Sequence, residues 1–134
     1  MSGISIKETL LRLRDAGLDS LPGGGAEILV DRVRAILAPK KTKSDEWLEV
    51  MRQAHRQGMS TSATMMYGHV ETLEDGAAHL QMLRNLQDET GGFLAYIPLA
   101  YHPDDNTLGI TLGRQGTAST GMDDLRTLAV GRLF

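Results

Sequence analysis

The stretch Thr61-Ser-Ala-Thr-Met-Met-Tyr-Gly-His-Val-Glu-Thr72 decides the fold class of this chain. Residues 59–67 are rich in apolar, β-branched and aromatic side chains, which predicts a strand. Gly68 interrupts this strand, and Thr72 is a good N-cap for the helix predicted over residues 73–89. A strand that leads directly into a helix is typical of α/β proteins, which bind ligands at the carboxyl ends of their strands.

Two similar strand ends flank this stretch. Residues 18–21 predict a very short strand, and Pro22-Gly-Gly-Gly-Ala-Glu27 after it favours neither a strand nor a helix. Residues 93–100 predict a third strand, and because they are mostly apolar we expect burial on both faces. This strand leads into Tyr101-His-Pro103. Three polar strand ends in one chain predict a shared binding face.

Helical patterns occupy the segments between and around the strands. Helices are predicted over 4–16, 30–37, 45–57, 73–89 and 123–134, with Ser44 as a cap and a long loop over 102–120. This alternation predicts a parallel sheet with helical crossovers. The predicted fold class is therefore α/β, a partial (βα) TIM-type barrel of about three parallel strands with intervening helices. We interpret residues 1–134 as a single domain that forms the middle portion of a larger barrel.

Composition restricts the possible functions. The chain has a net charge of -3, a hydrophobic fraction of 41% and no cysteine. The absence of cysteine excludes disulfides, thiolate nucleophiles and cysteine-ligated metal or iron–sulfur sites within these residues. The charge gives no reason to expect nucleic-acid binding, and no apolar run has the length of a membrane span. We expect a cytoplasmic protein without membrane association, and the spacing of histidines and carboxylates predicts no metal site.

The glycine-rich segment after the first strand is the first candidate site. Gly23, Gly24 and Gly25 expose backbone N–H groups, which suit a carboxylate, a phosphate or a ribose. Taken alone, three glycines favour a tight turn instead. Glu27 is a candidate acceptor of hydrogen bonds from a polar substrate, with a helix cap as the alternative interpretation.

The second candidate site follows the central strand. Gly68 lets a flat ring lie against the backbone, and His69 is suited to donate to a ligand or to transfer a proton. Glu71 either binds hydroxyl groups or lies at the start of the next helix, and the helix interpretation is favoured for an isolated residue. The Met65-Met66 pair favours a core position, although Met66 lies close to the site.

The third candidate is His102, which follows the third strand directly. A residue at this position in a barrel is typical of a catalytic or substrate-binding side chain, and the alternative is a loop histidine packed on Pro103. His55 and His79 fall on predicted helices, where we expect outer surfaces and no role. No residue is assigned a catalytic role.

Four long motifs follow one another along the chain. They are Gly17-Leu-Asp-Ser-Leu-Pro-Gly-Gly-Gly-Ala-Glu-Ile28, Ala63-Thr-Met-Met-Tyr-Gly-His-Val-Glu-Thr72, Leu86-Gln-Asp-Glu-Thr-Gly-Gly-Phe93 and Asp124-Leu-Arg-Thr-Leu-Ala-Val130. Together they resemble one branch of the radical S-adenosylmethionine (SAM) enzymes, the menaquinone and deazaflavin branch. This branch includes aminofutalosine synthase, dehypoxanthine futalosine cyclase and the deazaflavin (FO) synthase subunits. Within it, Ile97-Pro-Leu-Ala-Tyr-His-Pro103 is most similar to aminofutalosine synthase, and the cyclase is second.

The resemblance implies a chemistry for the parent family. A 4Fe-4S cluster held by a Cys-x3-Cys-x2-Cys loop cleaves SAM to a 5′-deoxyadenosyl radical. In the synthase, a transferase of menaquinone biosynthesis by the futalosine pathway, the radical adds to a chorismate-derived carboxyvinyloxybenzoate. In the cyclase it abstracts hydrogen from its substrate. The resemblance places Met66, Gly68 and Glu71 along the adenine of SAM, and the substrate beside the residues Gly23, Gly24, Gly25, Glu27, His69 and His102.

The chain departs from this family in having no cluster cysteine. We therefore expect a fragment of a radical SAM enzyme that is inactive without its 4Fe-4S domain, with the missing barrel half as a partner. One alternative is a non-catalytic small α/β binding module that self-associates through open sheet edges. Another is a non-radical lyase that uses His69, His102 and Glu27 as acid–base groups. A small-molecule substrate is expected for either enzyme.

Overall fold

The computed structural model describes residues 3–113 and 119–134, in which strands alternate with helices. The three strands predicted from the sequence are all present, and residues 114–118 of the predicted loop lie outside the described residues. The elements in chain order are α1 (Ile6–Asp15), β1 (Ser20–Leu21), α2 (Asp31–Leu37), α3 (Ser44–Arg56), β2 (Ser60–Tyr67), α4 (Leu73–Thr90), β3 (Phe93–Ala100), α5 (Thr107–Thr111) and α6 (Gly121–Leu133).

The strands form one parallel sheet in the order β1-β2-β3. Ser20 is opposite Ser60, and the long β2–β3 ladder ends with Tyr67 opposite Ala100. A register irregularity lies between Thr61 and Ser62. Three parallel strands with intervening helices confirm the predicted α/β class, in the arrangement of a partial (βα) barrel.

Local capping explains where the long helices begin and end. The hydroxyl of Thr72 accepts the N–H of Asp75 at 3.2 Å, and the carboxylate of Asp75 accepts the N–H of Thr72 at 2.8 Å. This capping box begins α4, and Gly91 ends it in the left-handed region at φ 65. The prediction that Ser44 caps α3 is wrong by one residue, because the N-cap is Lys43 and Ser44 is the first residue of the helix. The Ser44 N–H donates to the carboxylate of Asp31.

The buried core lies between the sheet and helices α3 and α4. Its main cluster comprises Ala26, Leu29, Trp47, Met51, Ala63, Leu83 and Leu86, and Phe93 and Tyr96 of β3 pack against it. A second cluster of Leu10, Ala54 and Met59 joins α1 to α3. The expected burial of β3 on both faces is wrong, because most of its side chains are exposed or only half-buried among the described residues. Leu94 is 77% exposed, and Ile97 and Leu99 are also exposed.

None of the described helices combines the length and the apolar character that a membrane span requires.

Candidate functional site

The carboxyl ends of the three strands lie at one edge of the sheet, because the strands are parallel. The segments that follow them are joined by backbone hydrogen bonds. Met66 N–H donates to the Glu27 carbonyl at 2.6 Å, and Tyr101 N–H donates to the Tyr67 carbonyl at 2.8 Å. The structure therefore brings together the glycine loop (residues 22–29), the Gly68 turn (residues 68–71) and the segment 101–103.

The three consecutive glycines of the glycine loop have different environments. Gly23 binds β2 through both of its backbone groups, since its N–H donates to the Ser62 hydroxyl at 2.8 Å and its carbonyl accepts the Thr64 hydroxyl at 2.7 Å. A Cβ at Gly23 would lie 2.7 Å from the Cα of Ala63. Gly24 has open space at this position, and Gly25 has φ +90. The expected exposure of the Gly23 N–H is therefore wrong, because this group is bonded to β2. The loop is a close-packed turn at Gly23 and a candidate binding segment at Gly24 and Gly25.

Arg34 holds the glycine loop from inside the protein. Its side chain belongs to α2, the residue is only 3% exposed, and the guanidinium donates to the carbonyls of Gly25, Ala26, Ile28 and Thr42. Burial lowers the pKa of Arg34, against the opposing effect of Glu27 and Asp31. Because peptide groups are planar and trans, the N–H groups that follow the inward carbonyls point away from Arg34.

His79 binds the other end of the glycine loop. Its Nδ1 accepts the N–H of Leu29 at 2.9 Å, and the residue is fully buried. Burial, and secondly the charge of Arg34, lowers the pKa of His79 from 6.5 to about 4, so the ring is neutral at pH 7. Its Nε2 is buried and has no hydrogen-bond partner among the described residues. The Thr64 backbone acts in the opposite direction and raises the pKa of His79, but its effect is smaller than those of burial and Arg34.

The expected outer-surface positions of His79 and His55 are wrong. His79 lies on the buried stripe of α4 with Asp75 and Leu83, whereas the apolar residue Leu73 is 81% exposed. The ring of His55 lies between the hydroxyls of Thr90 at 2.6 Å and Thr61 at 2.7 Å. The spacing Asp75, His79, Leu83 was the available sequence signal for burial, because these residues recur every four positions.

Glu27 has its backbone in the left-handed region at φ 40, and its carboxylate pairs with Lys41. The interpretation as a helix cap is wrong, since the N-cap of α2 is Val30 and has no side-chain cap bond. A positive φ at a residue other than glycine is uncommon, and strained backbone of this kind clusters at active sites and ligand-binding segments. The role of Glu27 in substrate binding stays a prediction.

The Gly68 turn is organised by the carboxylate of Glu71. Its two oxygens accept the N–H groups of Gly68 at 2.5 Å and of His69 at 2.8 Å, and Gly68 has φ 85. Burial raises the pKa of Glu71, but the hydrogen bonds from His69 and Gly68 outweigh it and lower the pKa overall. Glu71 therefore faces back into the turn and leaves the start of α4 to Thr72.

Both ring nitrogens of His69 have partners within the chain. Nε2 lies 2.9 Å from the Met66 carbonyl, while Nδ1 lies 2.8 Å from Glu71 Oε2 and 2.7 Å from the Val70 nitrogen. The ring is buried and meets Tyr101 edge-on at 6.1 Å between centroids. A protonated ring would donate to Met66 and Glu71, and a neutral ring would accept the N–H of Val70. Contact of His69 with a substrate stays a prediction.

Met66 and His102 occupy different parts of this edge of the sheet. Met66 is half-buried and lies opposite Leu99 in the β2–β3 ladder. His102 is exposed, and its carbonyl accepts the side-chain amide of Asn106 at 2.7 Å. Among the contacts described above, His102 is linked to the site only through its chain neighbour Tyr101. The described residues contain no group of three or more metal-ligating side chains arranged to hold an ion.

Comparisons with known proteins place these residues in a larger context. The family model of the Radical SAM superfamily matches residues 1–83. Aminodeoxyfutalosine synthase of Thermus thermophilus is 54% identical over 128 residues, which cover 96% of this chain and 34% of that protein. The 5-amino-6-(D-ribitylamino)uracil–L-tyrosine 4-hydroxyphenyl transferase 1 of Methanosarcina acetivorans is 49% identical, over 100% of this chain and 36% of that protein. The chain spans about a third of the length of these relatives.

Proposed function

Because this chain belongs to the Radical SAM superfamily, we propose that it forms the part of a SAM enzyme that holds the nucleoside of SAM beside a small-molecule substrate. The proposed parent reaction is of the aminofutalosine synthase kind, in menaquinone biosynthesis. The observation that carries this proposal is the Gly68 turn, in which Glu71 fixes two consecutive backbone N–H groups at the end of the central strand. The identity of 54% to an aminodeoxyfutalosine synthase supports the choice of reaction.

The residues of the Gly68 turn fit a nucleoside. Gly68 presents a backbone without a side chain, and Met66 offers an apolar surface two residues earlier. Both oxygens of Glu71 are bonded within the turn, so we infer that Glu71 shapes the nucleoside site through the backbone of residues 68 and 69. SAM, when bound, supplies a 5′-deoxyadenosyl group for radical chemistry.

The residues of this chain do not fit a 4Fe-4S cluster, because the sequence contains no cysteine. We therefore assign no chemical step to the cluster within these residues. On this proposal the chain binds and orients SAM and substrate, and it is inactive without a 4Fe-4S domain supplied outside this sequence.

The glycine loop is the proposed substrate side of the site. It lies beside the Gly68 turn, to which the hydrogen bond between Met66 and Glu27 connects it. Arg34 turns the loop carbonyls inward, which directs the N–H groups of residues 26 and 27 away from the guanidinium. We propose that Gly24 and Gly25 with Glu27 contact the substrate, while His69 and His102 lie at its margins. Gly23, whose N–H and carbonyl are both bonded to β2, supports the loop from beneath. A carboxylate such as that of carboxyvinyloxybenzoate is the group that such N–H donors recognise.

The first experiment measures SAM affinity by isothermal titration calorimetry on the whole chain. We expect Glu71→Ala to weaken SAM binding about tenfold, because it releases the two N–H groups of the turn. Glu74→Ala is the matched control, since Glu74 is an exposed carboxylate three residues later in the first turn of α4. Equal affinities of both variants and the wild type would contradict the assignment of the nucleoside site.

A second titration identifies the substrate class with SAM present. Carboxyvinyloxybenzoate is compared with L-tyrosine and 5-amino-6-(D-ribitylamino)uracil, the compounds that the name of the second relative contains. Preferential binding of the benzoate supports the synthase-like parent. Preferential binding of tyrosine or the uracil favours the transferase-like parent instead, and a futalosine derivative is the probe for the cyclase-like alternative.

A non-catalytic binding module is the second candidate function. The exposed apolar residues of β3, with Leu94 at 77% and Leu99 at 49%, favour self-association through this strand. A stable symmetric oligomer that does not bind SAM in the same titration would support the module over the enzyme.

A further inference from the structure

Tyr67, the last residue of β2, is connected to the C-terminal helix by a partly buried hydrogen bond. Its hydroxyl donates to Asp124 Oδ1 at 2.7 Å, and the hydroxyl of Ser119 donates to the same oxygen at 2.8 Å. Tyr67 is only 8% exposed. Burial, with the added effect of the Asp124 carboxylate, raises the pKa of Tyr67 to about 12, so the phenol keeps its proton at pH 7. A hydrogen bond from a buried donor to a carboxylate is among the stronger ones in proteins.

Apolar packing holds α6 only weakly against the rest of the protein. Its large apolar side chains are mostly exposed, and no residue of the helix is buried. The exposed fractions are 65% for Met122, 65% for Leu125, 52% for Leu128 and 85% for Leu133. The position of α6 therefore depends on a few specific contacts. Near its end Gly131 packs on the ring of Tyr96, and near its start Asp124 binds Tyr67.

The contact with Asp124 lies directly beside the Gly68 turn. The Tyr67 carbonyl accepts the N–H of Tyr101 at 2.8 Å, which fixes the peptide that joins Tyr67 to Gly68. Ser119 lies on the side of Gly68 where a side chain would project, because a Cβ there would be 3.6 Å from Ser119 Cβ. Asp124 thus holds Tyr67 and Ser119 together next to Gly68, while Glu71 holds the turn from its other end.

We propose that Asp124 is a positioning residue, which acts through Tyr67 and Ser119 to set the conformation of the Gly68 turn. The conformation of the Gly68 turn determines the backbone surface against which a nucleoside packs. This effect on nucleoside binding rests on the proposed function. Asp124 itself is not a catalytic residue on this proposal. The C-terminal helix consequently belongs to the binding site although its own apolar side chains do not line it.

The test compares Tyr67→Phe, Asp124→Leu and Asp124→Asn with the control Asp123→Leu. Asp123 accepts the N–H and the hydroxyl of Thr120 in the capping box of α6, so its loss weakens the helix without touching Tyr67. The first readout is the backbone amide resonances of residues 68 and 69, which need no ligand. We expect them to shift in Tyr67→Phe and Asp124→Leu, and to stay near the wild-type positions in Asp123→Leu.

The second readout is SAM affinity. We expect a loss of about tenfold in Tyr67→Phe and at least as large a loss in Asp124→Leu, which also removes the bond to Ser119. The double variant should lose no more than Asp124→Leu, because that variant has already lost the bond to Tyr67. Asp124→Asn retains an acceptor oxygen and should stay within about threefold of the wild type. Tyr67→Phe removes only one hydroxyl group, so it tests the positioning role even if Asp124→Leu does not fold.

The outcomes separate this inference from the proposed function. Unchanged resonances of residues 68 and 69 in Tyr67→Phe, or equal effects of Asp123→Leu and Asp124→Leu, would overturn the positioning role. If the resonances shift as expected but the wild-type chain does not bind SAM, the proposed function fails and the positioning role stands. If Glu71→Ala weakens SAM binding while the Tyr67 and Asp124 variants change neither readout, the proposed function stands and the positioning role fails.

Discussion

Leu29 and His79 are joined by a hydrogen bond of 2.9 Å, in which the backbone N–H of the glycine loop donates to the Nδ1 of a fully buried ring. Only a ring with a free electron pair at Nδ1 accepts this bond, so protonation at that atom removes the acceptor. The same ring is buried near the cationic Arg34, which further disfavours a second positive charge. The bond therefore links the conformation of the glycine loop to the protonation state of one histidine.

We predict that acid destabilises the protein through His79 well above the range of the carboxylates. The folded-state pKa is about 4 and the ordinary value is 6.5, so between these pH values the unfolded chain binds a proton that the folded chain does not. The stabilisation is complete above pH 6.5 and is lost as the pH falls to about 4. A shift of this size corresponds to about 3 kcal/mol. Urea unfolding at a series of pH values measures it.

The control for this prediction is His79→Gln, which keeps a side-chain acceptor for Leu29 but does not titrate. Its free energy of unfolding should vary much less between pH 6.5 and 4, and the remaining variation should come partly from His55, whose pKa burial also lowers. An unchanged slope in His79→Gln would contradict the assignment of the acid sensitivity to this residue.

The three adjacent glycines should respond differently to alanine. Gly23→Ala should destabilise the protein by about 3 kcal/mol or more, because the added methyl group meets the rigid backbone of β2. Gly25→Ala should cost about 1 kcal/mol from its positive φ, and Gly24→Ala should be nearly neutral, since its Cβ position is open. Thermal unfolding of the three variants measures the order. A Gly24→Ala variant as unstable as Gly23→Ala would contradict it.

Sequence patterns predicted the strands and the three strand ends because these depend on local signals. Gly68 and Thr72 end a strand and start a helix through their own backbone and side-chain chemistry, and the structure has β2 and α4 at those positions. The parallel order followed from the alternation of strands and helices. Features that depend on contacts within one segment, or on a pattern repeated along it, can thus be predicted from the sequence.

The pairings that support the site were not predictable in the same way, although the four-residue spacing of His79 from Asp75 and Leu83 is a signal for its burial. Arg34 and His79 are polar residues on helices, and composition favours a solvated position for both. Their burial depends on carbonyl and N–H groups of the glycine loop, which is nine residues from Arg34 and 50 from His79. The bond between Tyr67 and Asp124 spans 57 residues. Pairings over such separations leave no periodic signal in a single sequence.

Arg34 provides a third prediction, on the stability of the glycine loop. Arg34→Met should destabilise the protein by about 3 kcal/mol, because it leaves the buried carbonyls of Ala26 and Ile28 and two partly buried carbonyls without a donor. Arg32→Met is the matched control two residues away, where the ion pair with Asp75 at 2.6 Å involves a side chain that is 60% exposed. Its loss should cost less than about 1 kcal/mol. Chemical unfolding that gives equal losses of stability for both variants would contradict the role of Arg34 in holding the glycine loop.

The exposed side of β3 leads to a prediction about self-association. Leu94, Ile97 and Leu99 present apolar surface on a strand that pairs on only one side within the described residues. Such strands pair with other chains unless a charge prevents it, so we expect the isolated chain to be marginally stable and to associate at micromolar concentrations. Sedimentation velocity over a concentration series measures the association.

Leu94→Lys should shift the chain toward monomer, because a lysine on an edge strand disfavours pairing with a second strand. Leu73→Lys is the control, since Leu73 is 81% exposed at the start of α4 and lies outside the sheet. It should leave the association unchanged, and an equal effect of both variants would indicate non-specific adhesion of exposed leucines. A wild-type chain that stays monomeric and unfolds in one sharp thermal transition would contradict the prediction outright, because the apolar side of β3 would then need no cover.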